Sequence, residues 1–171
     1  MKDLIPAIFL VPIIALRIAI LLFYYLLKKV SEKKIFKHLI INVILISFIL
    51  NWIWELLQGP LYRGFTYTLP HLVVCTLAST ADVTMVVLLY FIFAIFYKNP
   101  FWGKRLSFIR VIIMMIIGGI GTIVAESFHT SAGSWVYSDK MPIIPMVKVG
   151  LSPVLQFFIL PVLIYYVSFR L

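Results

Sequence analysis

Five stretches of the chain are apolar almost without interruption: about 4–27, 39–57, 71–97, 111–127 and 151–169. Each approaches or exceeds the ~20 residues that an α-helix needs to cross a hydrocarbon core of ~30 Å. None alternates with period 2, so a transmembrane β-barrel is excluded. The pattern predicts an all-α polytopic membrane bundle of five transmembrane helices. It forms a single domain over residues 1–171, because the connections leave no stretch for a second core. The first run has an early Lys2 but ends in Lys28-Lys29 rather than in a small-residue cleavage site, so it reads as a retained helix. Pro6 and Pro12 fall in its first half, where membranes tolerate a kink or a loosened turn. Pro153 takes the third position of the fifth span, where a missing N–H costs little.

Composition removes the other classes. The 171 residues are 63% hydrophobic and 12% charged, against about 25% charged in soluble chains, too little polar surface for a soluble globule or a disordered chain. The single cysteine, Cys75, excludes an internal disulfide framework and reads as a small buried residue.

The net charge of +9 is unevenly placed and orients the chain. Segment 28–37 carries five lysines against Glu32, a net +4, and segment 98–110 carries Lys98, Lys104, Arg105 and Arg110, again +4. Arg63 alone marks 58–70, while Lys140 and Lys148 against Asp139 leave +1 in 128–150. Basic and nearly neutral connections alternate, so the basic ones are expected in the cytoplasm, with the N-terminus outside and the C-terminus inside. A multi-pass protein of the bacterial cytoplasmic (inner) membrane is the expectation. The basic segments read as topology signals that also suit anionic headgroups. A nucleic-acid role would need a basic domain outside the membrane, and none is visible.

Candidate chemistry lies in the polar residues of the spans. Glu55, Asp82, Glu126 and Arg17 each cost roughly 2.5–3.5 kcal/mol at the centre of a membrane helix, so they must pair, lose charge or face the bundle interior. Asn51, Glu55, Gln58 and Tyr62 recur at i, i+4, i+7 and i+11, one stripe of a helix. His71, Cys75, Ser79 and Asp82 form a second stripe. Thr122 and Glu126 share a face that continues to His129, behind Gly118, Gly119 and Gly121, which permit close helix approach. Gln156 comes from the fifth span. Asp82 lies eleven residues, or ~16 Å, beyond His71. These groups are expected to line one polar cavity in the outer half of the membrane with Asp82 at its floor. The rival arrangement has them hold the helices together with Arg17 as counter-ion. The outer segment 128–150 adds Trp135 and Tyr137, as interfacial anchors or as a lid, and Trp54 would stand in the cavity wall.

A carboxyl in apolar surroundings holds its proton to higher pH and can protonate an alkene or carry a proton through an isomerisation. Aromatic faces stabilise a developing cation. The catalytic candidates are therefore Glu55, Asp82, Glu126 and His129. The substrate-binding candidates are Asn51, Trp54, Gln58, Tyr62, His71, Trp135, Tyr137 and Gln156. Glu126-Ser127-Phe128-His129 is an E-x-x-H, but di-iron bundles need two copies and two further glutamates, so neither a metal nor a cofactor is assigned. Neither a nucleophile elbow nor a phosphate-binding loop is found.

Two motifs resemble known families. Asn51-Trp52-Ile53-Trp54-Glu55 followed by Asp82 resembles the N-x-x-W-E and following Asp of integral-membrane terpene cyclases. Trp135-Val136-Tyr137 and Pro153-Val154-Leu155-Gln156-Phe157-Phe158 look like the W-x-Y and P-x-E-E-x-x-F-F of small membrane lycopene cyclases, with Leu155 and Gln156 where those have acids. The wider pattern of W-E, P-L-Y, a mid-span Asp, W-x-Y, M-P and P-V-L-Q is similar to a group of small bacterial polytopic membrane proteins. The cyclase resemblance implies acid-initiated isomerisation or cyclisation of an isoprenoid, with Glu55 and Asp82 as acids. A lipid or isoprenoid is the expected partner, and homo-oligomerisation is left open. The rivals are a non-catalytic lipid-binding or membrane-complex assembly protein and, less favoured for want of a repeat, a proton-coupled transporter.

Overall fold

The computed structural model describes residues 10–171. Lys2, Pro6 and positions 4–9 of the first predicted span lie outside the described residues. Among the described residues there are five α-helices: α1 Leu10–Lys29, α2 Lys33–Gln58, α3 Leu69–Phe96, α4 Phe108–Ser131 and α5 Leu151–Ser168. All five are long and apolar enough to cross a membrane, which makes this a multi-pass helical protein.

Helix ends depart from the apolar windows in two informative places. α2 begins at Lys33, six residues before the predicted 39, so Lys33, Lys34 and Lys37 stand on its first turns and only 30–32 form the link. Lysine is a good helix former, and hydropathy marks where a helix meets lipid, not where it starts. α4 runs past the predicted 127 to Ser131 and carries His129 on its last turn. It stops where Gly133 takes φ 70 and its N–H bonds the Thr130 carbonyl, a left-handed turn suited to glycine.

α2 is central. It packs on α3 and α5, while α1 lies against α3 and α4 against α5, giving the order α1–α3–α2–α5–α4. At one end gather the link between α1 and α2, the segment between α3 and α4, and the end of α5; this is the basic end. Its half of the bundle is plugged by apolar rings: Phe36, Tyr90, Phe91, Trp102 and Tyr165 are fully buried. The polar atoms of that plug are satisfied by backbone. Trp102 Nε1 donates to the Tyr90 carbonyl at 3.2 Å, and Tyr165 Oη donates to Val86 at 2.7 Å, tying α5 to α3.

α5 is interrupted by Pro161, which leaves the Phe157 carbonyl without an intrahelical donor. α4 sets Gly118 on that carbonyl: a Cβ there would fall 2.3 Å from the oxygen. Lack of a side chain at Gly118 thus permits the contact that aims Thr122 and Glu126, one and two turns on, into the bundle.

At the other end the two connections pair with each other. A 3-10 turn at Gly59–Leu61 leads to Tyr62, which bridges to Tyr137. The Arg63 N–H donates to Val136 at 2.9 Å, and the Ser138 N–H donates to Leu61 at 2.8 Å. A short hairpin, β1 Ile143–Ile144 with β2 Val149–Gly150 in the register Ile143↔Gly150, completes this cap.

Candidate functional site

Beneath the cap the interior turns polar. The stripe on α2 faces inward: Asn51 and Gln58 are buried and Glu55 is half-buried between them. Gln156 of α5, itself buried, reaches across as the hub. Its Nε2 donates to Asn51 Oδ1 and to Asp82 Oδ2, each at 2.9 Å, and its Oε1 accepts from Gln58 Nε2 at 3.1 Å. Gln58 Nε2 also donates to Glu55 Oε1 at 2.7 Å. A continuous hydrogen-bonded path therefore runs from Glu55 through Gln58 and Gln156 to Asp82, joining α2, α5 and α3. Two serines extend it: Asn51 Nδ2 donates to Ser47 Oγ at 3.1 Å, and Ser152 Oγ donates to Gln58 Oε1 at 2.9 Å. Both sit one turn before a network member, at i−4 from Asn51 and from Gln156, and that spacing was the signal that could have found them.

Glu126, buried on α4, takes its partners from the cap. Trp135 Nε1 donates to its Oε2 at 3.2 Å, and Tyr137 Oη donates to the same oxygen. Gly150 makes room for this arrangement, because a Cβ there would sit 2.9 Å from Met141 Sδ and 3.1 Å from the Tyr137 ring. Tyr62 lies against both aromatics, its ring 5.6 Å from Tyr137 and 6.4 Å from Trp135. Burial pushes the Tyr62 phenol well above the usual tyrosine value, and the negative charge of Glu126, Glu55 and Asp82 adds to this. All three acids thus bear on one phenol. The Tyr137 phenol is raised by burial first and then by its bond to Glu126. Both phenols remain hydrogen-bond donors throughout the neutral range.

Among the described residues no cation balances the three acids. The one ion pair there is Arg63 with Asp139, 3.3 Å apart and exposed on the cap. Arg17 is exposed on α1 and bonds none of the three, so the arrangement with Arg17 as counter-ion is not what the fold adopts.

Some of the other candidates stand apart. His71 organises the cap: its Nδ1 lies 3.0 Å from Thr66 Oγ1 and 3.2 Å from Thr68 Oγ1, and its ring stacks on Phe65. His129 stacks on Trp135 with ring centres 4.4 Å apart, behind the indole that bonds Glu126. Trp54 packs against the apolar core, and its indole N–H is buried without a hydrogen-bond partner among the described residues. Cys75 is buried, with Sγ 3.9 Å from the Glu55 carbonyl oxygen. Among the described residues, no three His, Cys, Asp or Glu side chains are grouped so as to hold a metal ion. Comparison with protein-family models, curated proteins and solved structures finds no match to this chain.

Proposed function

We propose that this is a protein of the bacterial cytoplasmic membrane, N-terminus outside and C-terminus inside, whose acid cluster isomerises or cyclises an isoprenoid or a related lipid from the outer leaflet. One observation supports the reading: a hydrogen-bonded path joins Glu55 to Asp82 through Gln58 and Gln156, Glu126 stands beside it on the cap aromatics, and no cation pairs with any of the three among the described residues. Burial without a counter-charge favours the proton-carrying form of a carboxyl group, and a carboxylic acid is what acid-initiated chemistry on an alkene needs.

In this reading Glu55 or Asp82 gives a proton to one alkene carbon, and positive charge appears on its neighbour. The faces of Trp135, Tyr137 and Tyr62 stabilise that charge. Loss of a proton from an adjacent carbon, to Glu126 or back to the first acid, restores a double bond. Atoms balance within the substrate, whose formula is unchanged. The amides of Gln58 and Gln156 hold Glu55 and Asp82 at fixed positions. The route for a lipid is lateral, on the side where α4 packs along its length on α5 and on neither α2 nor α3.

Conserved mass and an exchanged hydrogen make the test specific. Membranes containing the wild-type chain, incubated in D2O, are expected to convert one extracted lipid into an isomer carrying one additional carbon-bound deuterium. Asp82→Asn and Glu55→Gln should abolish that isomer pair while the protein is retained in the membrane. Identical extracts from the wild type and both variants would remove the acid role.

A second reading is favoured by the saturation of the Gln156 amide, which spends its hydrogen bonds on holding helices. Here the chain is a non-catalytic lipid-binding or complex-assembly protein and the network is its internal fastening. It expects the same substitutions to lower the unfolding midpoint or to dissociate a complex, with lipid extracts unchanged.

A further inference from the structure

We infer that the basic end, independently of the acid cluster, carries a binding site for an anionic phospholipid. A groove of about 520 Å³ opens there between the first turns of α2, the segment between α3 and α4, and the end of α5. Lys34, Lys37 and His38 reach it from one face of α2, at i, i+3 and i+4, and Lys104 faces them from the neighbouring segment. Lys104 is held at the rim by the Phe101 ring, 4.9 Å from its Nζ. No Asp or Glu lines the groove, and none of these lysines has a carboxylate partner among the described residues. The nearest acid in sequence, Glu32, is exposed in the link before α2.

Depth decides the class of ligand. Asn42 lines the groove eight residues beyond Lys34, or about 12 Å along the helix, and its side chain has no hydrogen-bond partner among the described residues. The remaining wall is mainly apolar, with Phe169, just past the end of α5, and Leu39 and Ile41 of α2. Cations at the mouth, apolar side chains below them and a free amide beyond suit a phosphate headgroup whose ester-linked chain starts along the wall. A soluble phosphate would use the mouth alone. Lysines serving only to orient the chain would need no groove built from three elements.

The test uses the purified full chain in neutral detergent, offered equal amounts of phosphatidylglycerol and phosphatidylcholine and read by native mass spectrometry. Retention of phosphatidylglycerol over phosphatidylcholine by at least about tenfold is expected. The combined variant Lys34→Gln, Lys37→Gln, Lys104→Gln should bring the two lipids to parity, while arginine at the same positions should keep the preference. Equal retention by the wild type overturns the proposal without recourse to any variant. An unchanged preference in the glutamine variant overturns the location. Displacement of the lipid by millimolar inorganic phosphate would assign the site to a soluble anion and overturn the lipid reading.

Discussion

Gln156 stands where its neighbours could have demanded a cation. An amide offers two donors and an acceptor without net charge, so it can join two carboxyl-bearing helices while avoiding the desolvation of a buried ion pair. Its bonds to Asn51, Asp82 and Gln58 use that capacity across three helices. Tyr62 provides a residue-level check on the site. Its phenol is raised by burial and by the surrounding acids, so above the ordinary tyrosine pKa of about 10 the unfolded chain gives up a proton that the folded chain keeps. The contribution is complete below a pH of about 10 and is lost as pH rises beyond it. Tyr62→Phe is expected to unfold like the wild type near pH 8 and to lose less stability by pH 11, the difference approaching about 1.4 kcal/mol per pH unit. Denaturant unfolding at the two pH values measures it, and parallel declines would mean that the Tyr62 phenol is neither buried nor close to the acids. Helical spacing made Asn51, Glu55, Gln58 and Tyr62 legible as a set, and Gln156 stood out as the amide of the fifth span. Spacing did not separate His71, whose place on the second stripe was sound but whose imidazole is taken by Thr66 and Thr68.

Between elements, the decisive surface is that of α4 on α5. Pro161 exposes a carbonyl in mid-helix, and Gly118 fits against it. Gly118→Ala would put a carbon 2.3 Å from backbone oxygen, which cannot rotate away, so α4 must shift. We expect a loss of about 1–3 kcal/mol. The indole and phenol of Trp135 and Tyr137 should also detach from Glu126, seen as changed tryptophan fluorescence. Gly121→Ala is the control: it meets open space and should be neutral or slightly stabilising by helix propensity. Equal effects at both positions would mean that the close contact is not what holds α4. Three glycines in the fourth span announced close approach, though not which of them makes it. α2 shows why helix limits escape a hydropathy reading: its first turn is lysine-rich, as helical as its later turns and far more polar.

At the scale of the molecule, five helical spans were readable because lipid forces every backbone amide into a helix. Helix order was not. Nothing in one chain says that α2 is central, or that Tyr62 should pair with Tyr137 across the ends of two helix pairs. The proposed orientation has its own test. In a Cys75→Ala background, Asp139→Cys on the cap should react with a membrane-impermeant maleimide in intact cells, and Lys104→Cys only after permeabilisation. The reverse pattern would move the acid cluster to the inner leaflet.

The hub of the polar network belongs to a helix made after the two that it joins. Asn51, Gln58 and Asp82 lie 105, 98 and 74 residues ahead of Gln156. At about 5–20 residues per second of synthesis, α2 and α3 wait several seconds in or beside the membrane before the group that joins them exists. Birth order thus leaves α2 and α3 unjoined by this amide until α5 has been made. Synthesis stopped before Leu151 leaves Asn51, Gln58 and Asp82 in the membrane without the amide that joins them.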